Sequence, residues 1–587
     1  MGILRLVAGP LILSTASVSL SLAQAPPDQA RTACVVGQLV NGLTKDSVDG
    51  AVVEAPSVDG GKDRVFASGG GLFLLHSLPR ARMSISALRS GFLTRWVDID
   101  LSDTSVAPAT GCAGPLAITL WPSAAVVGRV DSADGAAVAG IDVTVIRRQV
   151  IAGVEYHEDA GRLRTDASGG FILDGLPPGD YAAAVIPEYA STPLAVASAF
   201  AGNSASMPAQ LSFIGEAATL QSGLRIGETL LGVGRGVPAP STLNGEWWIH
   251  DLAWAGAGFS TTASPQWVEV ASGQRAHLEP IRLTSIKPRT LSGRLVGEGR
   301  EVSRCAVQLF WKGESLPELR AAGTLSSESG GFTLAAVPPG IYEVRVARRG
   351  TGNGDCSGSA AVARIDADLT GSDIAGLEVP FSPTLRVTGT VEGGGDAIRT
   401  LRLYRVEDGG GPAQGAQARI GSNGSFSVSN LAAGRYVVLP DAADVLVESL
   451  MVDGTEIGPE IDVTADVVNV RVTLTNQTAE LRGAVRAANP RATGAITVLV
   501  FPADKASWKG GLALANRFKQ VAADIDGTFV VRGLPGGTYR TVALAGPVPA
   551  AWQTAGRLTS LIADATEVRL EKGQSTTLSL FALGSLR

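Results

Sequence analysis

The chain has 587 residues, is 45% hydrophobic and 18% charged, and carries a formal charge of −6. Such a composition excludes a disordered polymer, and the length predicts several domains. The small acidic excess provides no basic stripe, so it makes no electrostatic case for a nucleic-acid partner.

Residues 1–25 read as a cleavable secretory signal. Arg5 supplies a sparse positive start, Leu6 to Leu22 an apolar stretch, and Ala23-Gln24-Ala25 a small-x-small cleavage site. Cleavage after Ala25 places the mature chain outside the cytoplasm, secreted or periplasmic. No later segment is long and apolar enough for a spanning helix, so no membrane span is expected after cleavage. Four cysteines in an exported chain favour disulfides.

Internal repeats decide the architecture. A strand with glycine at its centre recurs around Gly37, Gly128, Gly293, Gly389 and Gly483. A second pattern follows each one, in GLFLLHSLPRARM, GFILDGLPPGDY, GFTLAAVPPGIY, GSFSVSNLAAGRY and GTFVVRGLPGGTY. Its phenylalanines are Phe73, Phe171, Phe332, Phe426 and Phe529, and ten residues after each stand Met83, Tyr181, Tyr342, Tyr436 and Tyr539. Phe-x-Val/Leu alternation turns Phe toward a core. The Pro-x-Gly that follows is a turn, with glycine expected at positive φ. Tyr then opens the next strand, its ring buried and its hydroxyl bonded near the turn. Alternating strands LAITL, LEPIRL, LEVPF and VRVTL close the units.

These spacings predict an all-β chain of about five sandwiches, at 26–122, 123–289, 290–383, 384–478 and 479–587. The second is longer, and its 190–245 stretch is either an insertion or part of an extra module. WWIHDLAWAG (247–256) echoes VLVESLMVDG (445–454). Read as one strand, it puts Trp248, His250, Leu252 and Trp254 on a core face and Trp247 on the opposite one. Helix is expected only at Ala551 to Ala563, on the last sandwich.

The glycine-centred strand followed by G-x-F-x-[FIV]-x-x-[LV]-P-x-G-x-Y resembles the carboxypeptidase regulatory-like repeat, most clearly at 169–181, 330–342 and 527–539. The resemblance covers most of the mature chain, less securely 190–245. It implies a transthyretin-like, seven-stranded sandwich related to immunoglobulin-like and carbohydrate-binding-like folds. The closing part, with TNQTAELRGAV and ATEVRLEKGQSTTLSL, is similar to large exported proteins of Acidobacteria. The family name derives from a domain beside a peptidase and confers no peptidase activity.

No catalytic constellation emerges. His76, His157, His250 and His277 lack the His-x-x-Glu spacing of a zinc peptidase, and no nucleophile elbow, phosphate loop or Cys-x-x-Cys is present. Asp524-Ile-Asp526-Gly527 reads as an Asx-type turn rather than a calcium loop. No metal and no cofactor is expected. Repeat boundaries pair Cys34 with Cys112 and Cys305 with Cys356. The expected function is a non-enzymatic exported binding or scaffold protein that displays loops to a polysaccharide or a cell-surface protein. The alternative is a carbohydrate-binding module array that assists a separate glycoside hydrolase. Trp247, in the dense cluster with Trp248, Trp254 and Trp267, is the expected sugar-stacking residue. Trp96, Trp121, Trp311, Trp508 and Trp552 are read as structural.

Overall fold

The computed structural model describes residues 32–102, 112–200, 223–256, 265–296, 302, 305–312, 319–347, 361–380, 382–383, 385–394, 398–406, 416–442, 445–487, 496–524, 526–545 and 548–583. The signal segment 1–25 lies outside them. The chain is all-β and divides into two compact units. The smaller comprises Met1–Val40, Ser47–Leu88 and Thr94–Ile118, and the larger comprises Asn41–Asp46, Arg89–Leu93 and Thr119–Arg587.

One contact explains the two recurring motifs. Gly37, Gly128, Gly293, Gly389 and Gly483 lie directly across an antiparallel ladder from Phe73, Phe171, Phe332, Phe426 and Phe529. A Cβ on Gly37, Gly128, Gly293 or Gly483 would stand 2.3, 2.4, 2.8 or 2.8 Å from the facing ring. The closing strand presses from the other side. The Leu116, Leu377, Val470 and Leu578 carbonyls would lie 2.4, 2.2, 1.9 and 1.9 Å from a Cβ on Gly37, Gly293, Gly389 and Gly483. Glycine is needed here for space, because the ring folds over the opening strand into the core. In the last three repeats the closing strand runs parallel to the opening one.

The tyrosines fasten the turns that carry the chain from each Phe strand to a strand it does not pair with, so these turns are not hairpins. Tyr181, Tyr342, Tyr436 and Tyr539 donate their hydroxyls to the carbonyls of Pro177, Pro338, Ala432 and Pro535, at 2.5, 2.6, 2.8 and 2.8 Å. Burial pushes the Tyr181 and Tyr539 hydroxyls up to about 12, so they remain protonated donors. The turn glycines are less uniform than expected. Gly434 and Gly537 take positive φ. Gly340 does not, and its lack of a side chain instead admits the Trp311 ring, 2.5 Å from where a Cβ would stand. Asp526 accepts from the Thr528 N–H at 2.9 Å and from its hydroxyl at 2.6 Å, the expected Asx turn.

The smaller unit stacks the sheet Leu72–Pro79, Thr32–Asn41, Ala113–Leu120 on the sheet Lys62–Phe66, Val52–Pro56, Arg82–Leu88, Arg95–Asp100. Val35, Leu39, Val53, Phe73, Leu75 and Ile85 fill its core. A disulfide joins Cys34 to Cys112. Cys305, buried in the larger unit, is also disulfide-bonded, and its expected partner Cys356 lies outside the described residues.

In the larger unit four core clusters fall within 124–283, 291–379, 387–474 and 479–582. The described part of 190–245 does not form a sandwich of its own. Strand Tyr189–Pro193 pairs in parallel with Arg320–Leu325, and Thr229–Val233 and Leu224–Ile226 add beyond it, so this segment extends the sheet of the following repeat. A second lock ties the second repeat to the fifth. In the hairpin after Asp142–Ile151, Ala152 donates its N–H to Gln553 Oε1 at 2.7 Å and accepts from the Gly511 N–H at 3.2 Å. Ala152 is fully buried among Leu499, Phe501, Trp508 and Trp552, and Tyr156 Oη accepts from the Leu512 N–H. The helix Ala555–Leu561 covers this cluster with Leu558 and Leu561.

Two measurements check these contacts. Gly389→Ala should destabilise its repeat by roughly 2–3 kcal/mol or more, since a backbone carbonyl cannot yield as a side chain can. Gly371→Ala, where a Cβ meets nothing within 4 Å, should change stability by less than about 0.5 kcal/mol in the same denaturation assay. Reducing the Cys34–Cys112 bond, which spans 78 residues, should lower the stability of the smaller unit by about 4–5 kcal/mol in the chain-entropy model.

Candidate functional site

The reading of 247–256 as one strand is corrected by the structure. Glu246–His250 forms one strand, paired with Ser241–Leu243 and Ser285–Ile286, and Ala253–Trp254 belongs to another sheet, opposite Ala184 and Val185. The break at Asp251–Leu252 resets the alternation, so face assignments do not carry through it. Trp247 shares its side of the strand with Ile249, which is fully buried beside Tyr189 and Leu231. Trp247 is therefore half-buried on the inward side, not on a free face. Leu252 and Trp254 are core, and Trp254 is 3% exposed.

Other tryptophans pack within the protein, and the half-buried Trp248 keeps its Nε1 without a hydrogen bond among the described residues. Trp267 stacks on His157 with centroids 5.3 Å apart, and the Arg148 guanidinium lies 4.8 Å from its centroid. Trp508 donates Nε1 to Pro502 O at 2.9 Å, and Trp311 packs 4.7 Å from Tyr342. All nine tryptophans are described, and only Trp96 is exposed, at 61%.

Trp96 sits on the outer face of the smaller unit's four-stranded sheet. Its strand, Arg95–Asp100, alternates Trp96, Asp98 and Asp100 outward with Val97 and Ile99 inward. Across the ladder, Trp96 faces Ser86, Ser86 faces Glu54, and Glu54 faces Arg64. The neighbouring row on this face runs Phe66, Val52, Leu88. Phe66 is 69% exposed and Leu88 37%. An apolar stripe thus crosses four strands, about 14 Å at the usual strand spacing. It ends in an aromatic ring on each edge.

Fixed charges border the stripe. Glu54 lies 3.0 Å from Lys62 Nζ and also pairs with Arg64 Nη2. The Lys62 hydrogen bond is the main influence holding its carboxyl below the usual range. Ser84 bonds Asp98, and Arg82 lies 3.7 Å from Asp100. Asp100 is likewise held low, chiefly by the Ser102 hydroxyl. Glu54 and Asp100 are therefore ionised at neutral pH, and the groups of this face satisfy one another. They suit orientation of a ligand better than proton transfer, which calls for a carboxyl poised near the working pH. Scattered placement in the sequence hid Trp96, although the R-W-V-D-I-D alternation carried a usable signal. Valine and isoleucine claim the core face, which leaves Trp outside.

A buried acid lies apart from this face. Asp251 is 2% exposed, Oδ1 accepts the Leu252 N–H at 2.8 Å, and Oδ2 has no partner in the protein. Burial pushes its carboxyl up to about 7. Among the described residues no group of three His, Cys, Asp or Glu side chains is arranged to hold a metal ion, and no helix is long and apolar enough to cross a membrane.

No family model matches the chain, and no curated protein matches it. Solved structures share distant likeness. A streptococcal ancillary pilin is 10% identical with a TM-score of 0.17, covering 60% of this chain and 99% of its own. A variant of the major pilin subunit of Bacillus cereus is 11% identical with a TM-score of 0.15, covering 78% and 98%. A DUF3823-family protein from Parabacteroides merdae is 13% identical with a TM-score of 0.12, covering 32% and 98%. At TM-scores this low the likeness carries no functional information.

Asp251 has a consequence for stability. The folded carboxyl holds its proton up to about pH 7, whereas an unfolded one releases it near 3.8. Its contribution is therefore fully present below pH 3.8 and is lost as pH rises through 7. Calorimetry at pH 5 and pH 8 should show Asp251→Asn gaining on wild type at the higher pH, by roughly 2–4 kcal/mol relative to the lower. An identical difference at both values would show that Asp251 is ionised throughout.

Proposed function

We propose that the chain is a non-enzymatic exported binding protein built of carboxypeptidase regulatory-like repeats. Its first sandwich holds a polysaccharide on the Phe66–Trp96 face. The observation that carries this reading is the exposure of Trp96, alone among the nine tryptophans, on a flat sheet face. Sugar rings present a C–H face that packs on an aromatic plane, and their hydroxyls bond to flanking polar groups. Glu54, Arg64, Asp98 and Arg82 supply such groups already held in place, which limits the ordering cost on binding. A single platform gives weak binding, micromolar at best, unless several chains or sites act together.

A second reading has its own support. Val52 and Leu88 lie between the aromatics, and a continuous apolar stripe with an exposed Trp also resembles the centre of a protein interface. Under this reading the partner is a cell-surface protein. Export rests on the 1–25 segment, and the mature protein recovered from the medium or periplasm should begin at Pro26.

A glycan array on the mature protein tests the first reading. Binding should fall at least tenfold in Trp96→Ala, with stability unchanged within about 0.5 kcal/mol. Trp254→Ala should instead cost about 3–5 kcal/mol of stability, as expected for a buried aromatic. An array with no binding at all, or one whose every hit is unchanged by Trp96→Ala, rejects the Phe66–Trp96 face as a glycan site and leaves the protein partner.

A further inference from the structure

We propose a second ligand site, for a neutral oligosaccharide, in the cleft where the second and fifth repeats of the larger unit meet. The proposal rests on the polysaccharide reading above and adds a site of different construction. The cleft has a volume of about 700 Å³ and is lined in part by Trp121, Gln149, Gln274, Gln520, Trp552 and Gln553. That volume lies within the range of small-ligand sites. Its walls come from parts of the chain about 400 residues apart, and the Ala152–Gln553 hydrogen bond holds them in register. The site is thus built before any ligand arrives.

Its chemistry selects the ligand class. Gln149 and Gln520 make no side-chain hydrogen bond to the described residues. Gln274 and Gln553 use only Oε1, toward the N–H groups of Ala271 and Ala152, so their amide NH₂ groups are unspent. The cleft therefore offers both donors and acceptors from neutral groups, which suits hydroxyls that also do both. Its two guanidiniums are already neutralised. Arg147 pairs with Glu158 at 3.1 Å and Arg148 with Asp180 at 3.0 Å. An anion would have to displace those carboxylates and would also meet the exposed Glu269 carboxylate, the one charged lining group without an ion pair among the described residues. Val150, Val270 and Trp552 are buried behind the lining, and the half-buried Trp121 indole supplies the apolar surface against which a C–H face of a sugar can pack.

The Trp121 indole reports occupancy. Intrinsic fluorescence of the full mature chain should change saturably on titration with at least one of cellohexaose, xylohexaose, maltohexaose or laminarihexaose. The double variant Gln149→Ala/Gln520→Ala should raise the Kd at least tenfold with an unchanged melting temperature, because neither side chain bonds the protein. Ala522→Trp, which fills the cleft, should abolish the response, whereas Trp96→Ala should leave it intact. The proposal falls if none of the four hexaoses gives a saturable response, if the double variant binds like wild type, or if Trp96→Ala alone removes binding. Cleft variants that keep the wild-type fluorescence response reject this site, and array hits lost only in Trp96→Ala leave the first-sandwich reading standing.

Discussion

The glycine–phenylalanine pair across the ladder of opening strand and Phe strand is the contact on which each sandwich depends. The ring must lie flat over the opening strand to reach the core, and the closing strand must approach the same backbone from its other edge. Both demands meet at one Cα, and only hydrogen leaves room for both. The pair therefore joins three strands at once: the opening strand, the Phe strand and the closing strand. Those strands are brought together from opposite ends of each repeat, so a local residue choice secures the most distant pairing in the unit. The tyrosine that follows acts at shorter range, holding the turn through its hydroxyl while its ring fills the same core.

Within the larger unit the repeats are interlocked rather than merely consecutive. Strand Tyr189–Pro193 leaves the second repeat and joins the sheet of the third, and the Ser191 hydroxyl accepts the Ala335 N–H at 3.0 Å. The Ala152 hairpin enters the core beside Trp508 of the fifth, so closely that a Cβ on Gly153 would stand 2.0 Å from the Trp508 carbonyl. These joints are buried and hydrogen-bonded, the features of a domain interior more than of a transient contact. They turn a string of modules into a framework that can hold a cleft of fixed width between non-consecutive repeats.

Aromatic residues divide accordingly. Most tryptophans of the larger unit serve packing: Trp254 and Trp508 fill cores, Trp267 is covered by His157 and Arg148, and Trp311 leans on Tyr342, whereas Phe581 stands exposed. The smaller unit places Phe66 and Trp96 outside, on a sheet whose inner face already has Val53, Ala55, Ile85 and Ala87 for its core. An outward ring there contributes nothing to folding. That separation lets binding and stability be perturbed independently at this face.

The all-β class, the repeating turn and the residues that build each core are legible in the sequence, because these follow from period-two alternation and from turn chemistry within a few residues; that the turn crosses to an unpaired strand instead of closing a hairpin is not. The sequence also pointed to the Cys34–Cys112 bond, since both cysteines fall in one repeat. It did not reveal why glycine recurs, because the crowding at Gly389 comes from a carbonyl about 80 residues away. The face of Trp247 was misread, because strand parity holds only until the chain changes sheets, and the break at Asp251 has no local signature. Trp96 was passed over because a lone tryptophan in a list of nine gives no sign of its exposure. Exposure depends on what the other strands leave uncovered, and only the assembled sheets decide that. The same holds for the cleft, whose walls are distant in sequence and meet only through the packing of Ala152 against the fifth repeat.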